Sequence, residues 1–161
     1  MPLHELVPNQ VWHAQLSLRF GPLDIYTRMT VIRLRDGALW VHSPIEPTPS
    51  LLAKLASLGD VRYVVAPNRS HHLFFQRFLH SFPLAKGFVA PGLAEKFKAL
   101  SQYLVVPLPG PWHGELQSWF IDGLPVLNET VWFHNESGTL VLTDLLFCFG
   151  TQSTGLAKLV A

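Results

Sequence analysis

An α/β fold, a sheet with helices packed on it, is predicted by three features of this 161-residue chain. Antiparallel strand patterns joined by turn residues come first, two strand–helix–strand cycles follow, and a turn-linked strand pair comes late. Val11 to Phe20 and Leu23 to Leu34 read as strands around Gly21-Pro22, the second with Ile25, Thr27, Met29 and Val31 on one face. Asp36-Gly37 is a strong hairpin signal, and Ala38 to His42 is the returning strand. Thr48-Pro49 is a good N-cap and first-turn pair for a helix whose Leu51, Leu52, Leu55 and Leu58 face inward and which stops at Gly59. That helix leads to Val61–Val65, a strand predicted to lie parallel to the one before it and to be stopped by Ala66-Pro67-Asn68.

Ser70 sits where an N-cap is expected, which places His71 and His72 in the first turn of a helix with an apolar stripe of Leu73, Phe74, Phe78 and Leu79. Lys86 to Ala90 is a short strand, a helix runs from Pro91-Gly92 to about Ser101, and Tyr103 to Val106 is a strand again. Pro107 to Gly114 is too rich in Pro and Gly for regular structure, so Trp112-His113 is expected on a surface loop. Leu116 to Ile121, Thr130 to His134 and Thr139 to Thr143 complete the strands, the last two joined through Asn135-Glu136-Ser137-Gly138.

Composition bounds the function. The length suits one domain over residues 1–161 with a sizeable core, and no repeat or linker divides it. Only 14% of residues are charged, against about 25% in an average domain. Some of this apolar surface is therefore expected to meet a partner. A net charge of +1 with no Lys/Arg run leaves no electrostatic footprint for nucleic acid. No apolar run is long enough for a membrane span, and no secretory leader pattern opens the chain. The lone Cys148 allows no internal disulfide. A cytoplasmic protein is expected.

The residues most able to carry chemistry gather around the second strand–helix junction. In open α/β sheets, ligands bind outside the carboxyl ends of strands. Neutral imidazoles at such a place can bind a metal or accept a proton. His71 and His72 stand there with Asn68 and Arg69, while His42 ends an earlier strand and Asp144 follows a late one. Each has a plainer reading. The histidines can satisfy backbone groups, Asp144 can cap a turn or bond to the 66–72 loop, and Asn68 can hold its own turn. His42 can serve as a hydrogen-bonding group at the cleft floor, and Glu129 can be solvated on a strand face. Phe74, Phe75, Phe78 and Phe82 read as core, and Cys148 as a small buried hydrophobe. His4, His13, His80, His113 and His134 are scattered.

With that order of strands, histidines and a late Thr-Asp, the chain resembles the metallo-β-lactamase superfamily, a four-layered αββα sandwich, over roughly Ile25 to Phe147. It is most similar to a branch of unknown function that carries Ala-Pro-Asn-x-x-His-His in place of His-x-His-x-Asp-His. The resemblance implies that Pro67 and Arg69 fall on the first two histidines, His71 on the aspartate and His72 on the third histidine, with Asp144 on the metal-bridging carboxylate. It also implies a metal set of His71, His72 and Asp144, with His42, Asn68, Arg69 and Glu129 lining the cleft. No histidine precedes Trp132 closely, none follows His134, and the chain ends 17 residues after Asp144, so the sandwich is expected to be incomplete at its C-terminus.

Two expectations of different kinds follow. One is a hydrolase acting on an unidentified small molecule. Here one zinc or iron ion activates water, and Asp144 or His72 moves the proton. The other is a non-catalytic scaffold, metal-free, that works through a binding cleft or a homodimer interface. A further variant is an anion or phosphate site built from Arg69 and the helix N-terminus.

Overall fold

The computed structural model describes residues 2–20, 23–107, 110–112, 114–123 and 125–146. One sheet has seven strands in sequential order: β1 (His4–Val7), β2 (Val11–Phe20), β3 (Leu23–Arg33), β4 (Leu39–His42), β5 (Val61–Ala66), β6 (Lys86–Val89) and β7 (Leu104–Val105). Neighbours from β1 to β4 are antiparallel, and those from β4 to β7 are parallel. Three helices, α1 (Pro49–Leu58), α2 (Phe75–His80) and α3 (Leu93–Lys96), make the parallel crossovers. A second, antiparallel sheet is formed by β8 (Leu116–Phe120), β9 (Thr130–His134) and β10 (Thr139–Val141), with β9 in the centre.

Side-chain alternation along the strands divides the core in two. On β4, Leu39 and Val41 pack with Leu51 and Leu55 of α1 and Phe75 and Phe78 of α2. Trp40, one residue out of phase, packs instead with Val65, Phe88, Trp112 and Trp132. The central strands are thus buried on both faces, which is why they read as unbroken apolar runs. Each fully buried large side chain contributes about 1.5–3 kcal/mol of transfer free energy. The layers are helices, large sheet and small sheet.

The turn before β4 follows its chemistry. Gly37 takes φ +83°, and the Ala38 amide donates to Asp36 Oδ1 at 2.9 Å. Gly59, after α1, passes so close that an added Cβ would stand 2.4 Å from the Gly37 carbonyl oxygen.

Three expectations are corrected, and one strand is added. Ser70 is not an N-cap, because Asn68 takes the Ser70 and His71 amides in its own turn, and α2 begins only at Phe75. The helix expected from 92 to 101 is broken at Phe97, whose extended backbone (φ −132°, ψ 96°) separates α3 from a 3-10 turn at Lys98–Leu100. Trp112 is not on the surface: it is 3% exposed, with Tyr63, Phe88 and Trp132 all within 5.5 Å between ring centres. Irregular backbone does not prevent a large ring from reaching inward to fill the space between the sheets. β1 was not anticipated, since its side chains alternate too weakly to announce an edge strand. His113, Phe147 and Cys148 lie outside the described residues.

Candidate functional site

The site forms where β4 and β5 end and the 67–71 turn meets the small sheet. Backbone bonds fix that meeting: the Thr130 amide donates to the Pro67 carbonyl at 3.0 Å, and the Arg69 amide to the Leu127 carbonyl at 3.0 Å. Asn68 is fully buried at the centre. Its Oδ1 accepts from the Ser70 and His71 amides, each at 2.8 Å, and its Nδ2 donates to Thr143 Oγ1 and Asp144 Oδ2, each at 2.8 Å. Both ends of the amide are thereby satisfied, which a buried polar group requires.

His71 is held at both ring nitrogens. Nε2 lies 3.1 Å from Asp144 Oδ1, and Nδ1 lies 2.6 Å from Ser43 Oγ, with Thr27 Oγ1 farther off at 3.5 Å. An ionised Asp144 accepts only, so Nε2 carries a proton, and in the neutral ring Nδ1 accepts from the Ser43 hydroxyl. Ser43 is itself unusual, a buried serine with φ +54° directly after β4. For Asp144, burial alone would push the carboxyl up. The hydrogen bond and charge of His71 and the Asn68 amide outweigh it and hold the group below its ordinary range.

Glu129 corrects the expectation of a solvated side chain. It is fully buried, Oε1 accepting the Thr143 amide at 2.5 Å and Oε2 the Asp144 and Leu145 amides at 2.8 and 3.2 Å. A carboxylate spent on three backbone donors shapes the turn that delivers Asp144.

The remaining candidates lie apart from this network. His72 turns to Phe97, with ring centres 4.2 Å apart, and makes no hydrogen bond to Asp144. Burial holds its pKa below the ordinary value, aided by Lys96 and His71 and opposed by a backbone hydrogen bond. His42 is buried and stacks on Trp40, and its Nε2 has no protein partner. Burial, helped by the charge of His71, lowers its pKa to about 3, so the ring is neutral. Arg69 sends Nη1 to the Pro125 carbonyl at 2.9 Å, and α2 starts six residues later. The helix N-terminus imagined beside Arg69 is therefore not formed there.

The structure thus brings together Asn68, His71, Glu129 and Asp144 and leaves out His72, Arg69 and, by hydrogen bonding, His42. Sequence reasoning missed Ser43, Thr27 and Thr143. Ser43 alone had a signal, its place one residue past a strand end.

A catalytic zinc needs about three protein donors plus water. Among the described residues no group of three or more His, Cys, Asp or Glu is arranged to hold a metal ion. The donor chemistry explains this. Both nitrogens of His71, both oxygens of Asp144 and both oxygens of Glu129 are engaged by protein neighbours. These residues as arranged do not fit such an ion.

Residues 8–160 match the model of a family described as a domain of unknown function, DUF4336. No curated protein matches the chain. Solved structures with a similar fold include a metallo-β-lactamase from Pontibacter korlensis, at TM-score 0.63 and 12% identity, covering 83% of this chain and 66% of that one. One from Hirschia baltica aligns at TM-score 0.59 and 12% identity, covering 84% and 68%. A putative diflavin flavoprotein A 5 fragment from Nostoc sp. PCC 7120 aligns at 0.57 and 16%, covering 84% and 62%. The chain thus spans about two thirds of the length of these structures. At such identities the likeness is one of fold, and it bears out the metallo-β-lactamase-like sandwich expected from the sequence.

Proposed function

The chain belongs to the DUF4336 family, and from that premise, together with the satisfied network around His71, we propose that it is a metal-independent binding module on a metallo-β-lactamase-like fold. The observation that carries this reading is that His71 and Asp144 are bonded to each other and, at their remaining atoms, to Ser43 and Asn68. The polar groups fasten the two sheets and retain no free ligand set. One-metal hydrolysis through His71, His72 and Asp144 would require these bonds to be broken and His72 to leave Phe97.

Ser43, His71 and Asp144 also form a serine–imidazole–carboxylate series, and its order of exposure argues against nucleophilic use. In a hydrolase the hydroxyl meets the substrate. Here Ser43 is deepest, at 1% exposed, while the side chains of His71 and Asp144 keep 16% and 14%. Elsewhere on the surface the large apolar side chains Tyr26, Leu73 and Leu146 are exposed. Exposed apolar side chains of this kind suit a partner that covers them. The single cysteine supports a cytoplasmic setting. Among the described residues no helix is long and apolar enough to cross a membrane.

Metal analysis of protein purified without chelator, followed by zinc titration, tests the reading. The expected result is no stoichiometric zinc or iron and no change on titration. One tightly held ion per chain, lost in His71→Ala, would overturn it. Light scattering checks the expected homodimer, which a monomer at all concentrations would remove.

A further inference from the structure

A second cleft, of about 200 Å³, is lined by His72, Leu73, Gln76, Phe97, Ala99 and Leu100. None of these belongs to the Asn68–His71–Asp144 network. The break after α3 makes the cleft: with Phe97 extended between α3 and the 3-10 turn, its ring meets the His72 ring. The Lys96 ammonium stands 5.1 Å from the centre of that same phenyl ring and acts electrostatically on His72. Neither Lys96 nor Lys98 has a carboxylate partner among the described residues. An apolar floor of Phe97, Ala99 and Leu100 thus has one cation, Lys96, standing beside it over the Phe97 ring.

We propose that this cleft binds a small organic monocarboxylate, its aliphatic or aromatic part on Phe97 and Leu100 and its carboxylate paired with Lys96. The volume fits such a size, since a cavity of about 150 Å³ accepts a benzene ring. An anion there neutralises Lys96 and covers apolar surface that now faces water. Phosphate, lacking an apolar part, gains only the first of these.

Titration of the full-length 15N-labelled protein, followed by amide NMR, tests the proposal with octanoate, phenylacetate, phenylacetamide and inorganic phosphate as probes. Saturable shifts centred on residues 72–76 and 96–100 are expected with one or both acids, and which acid binds more tightly distinguishes an alkyl from an aromatic ligand. Lys96→Met, an exposed change that keeps the apolar stem, should weaken binding about fivefold while leaving the free spectrum folded. Phe97→Leu should weaken phenylacetate more than octanoate if the ligand is aromatic. Any of three results overturns the proposal: no saturable shift with either acid, phenylacetamide or phosphate binding as tightly as phenylacetate, or Lys96→Met binding unchanged.

Discussion

The junctions after β4 and after β5 both turn a buried parallel strand toward a helix, and they use their capping side chains for opposite ends. After β4, Thr48 accepts the Leu51 amide at 3.4 Å, Pro49 fits the first turn, and α1 runs for ten residues. After β5, Asn68 accepts two amides at 2.8 Å, yet the chain continues in turns and α2 has only six residues. The difference lies at the other end of the side chain. Thr48 answers only to its own helix, whereas Asn68 is also tied to Thr143 and Asp144 beneath the small sheet. At the second junction local helix gives way to an inter-sheet fastening, and adjacent histidines are sent in different directions, one to Asp144 and the other to Phe97.

The largest effects should come from breaking that fastening. Glu129→Ala leaves three part-buried backbone amides without their carboxylate, and Asn68→Ala strands both Asp144 Oδ2 and the 70–71 amides. Each should cost about 3 kcal/mol or more in denaturant unfolding. A loss under 1 kcal/mol in both would mean that the network does not hold the sheets together.

His42 sharpens the contrast through pH. Its folded pKa, about 3, lies below its ordinary 6.5. The unfolded chain therefore takes up the proton first as pH falls, and stability that is complete above 6.5 is lost progressively toward 3. At about 1.4 kcal/mol per unit, the loss by pH 5 is roughly 2 kcal/mol. In His42→Phe that part of the acid slope should vanish, and an unchanged slope would place the titration elsewhere.

Asp144 has the depressed-carboxylate sign. Its stabilisation is present above its ordinary value of 3.8 and is lost as pH falls through the lower folded value. Asp144→Asn should cost about 1–2 kcal/mol at pH 7 and flatten stability below about pH 4, measured by thermal unfolding across pH. Smallest of all, Thr48→Ala should cost about 1 kcal/mol, as a cap confined to its own helix. If Thr48→Ala proved as damaging as Asn68→Ala, the distinction between the junctions would collapse.

Much of the fold could be read from local pattern. β2 to β6 and β8 to β10 follow alternation and turn residues that act over a few positions, and Asp36-Gly37 and Thr48-Pro49 act alone. Residues whose partners are distant could not be read so. Trp112 lies in a Pro- and Gly-rich stretch that looks like surface, and only the gap between two sheets makes it core. Glu129 resembles a solvated strand carboxylate until the 143–145 amides close on it.

Sequence alone determined most of the strand and helix order and the placing of Asn68, His71 and Asp144 each just past a strand, because periodicity and turn chemistry are short-range. Tertiary structure decided that His71 and His72 part, that Ser43 lies beneath the imidazole and that His71 and Asp144 satisfy one another. Those outcomes depend on which hydrogen-bonding groups meet across the two sheets, over sequence separations of up to 76 residues, as between Asn68 and Asp144.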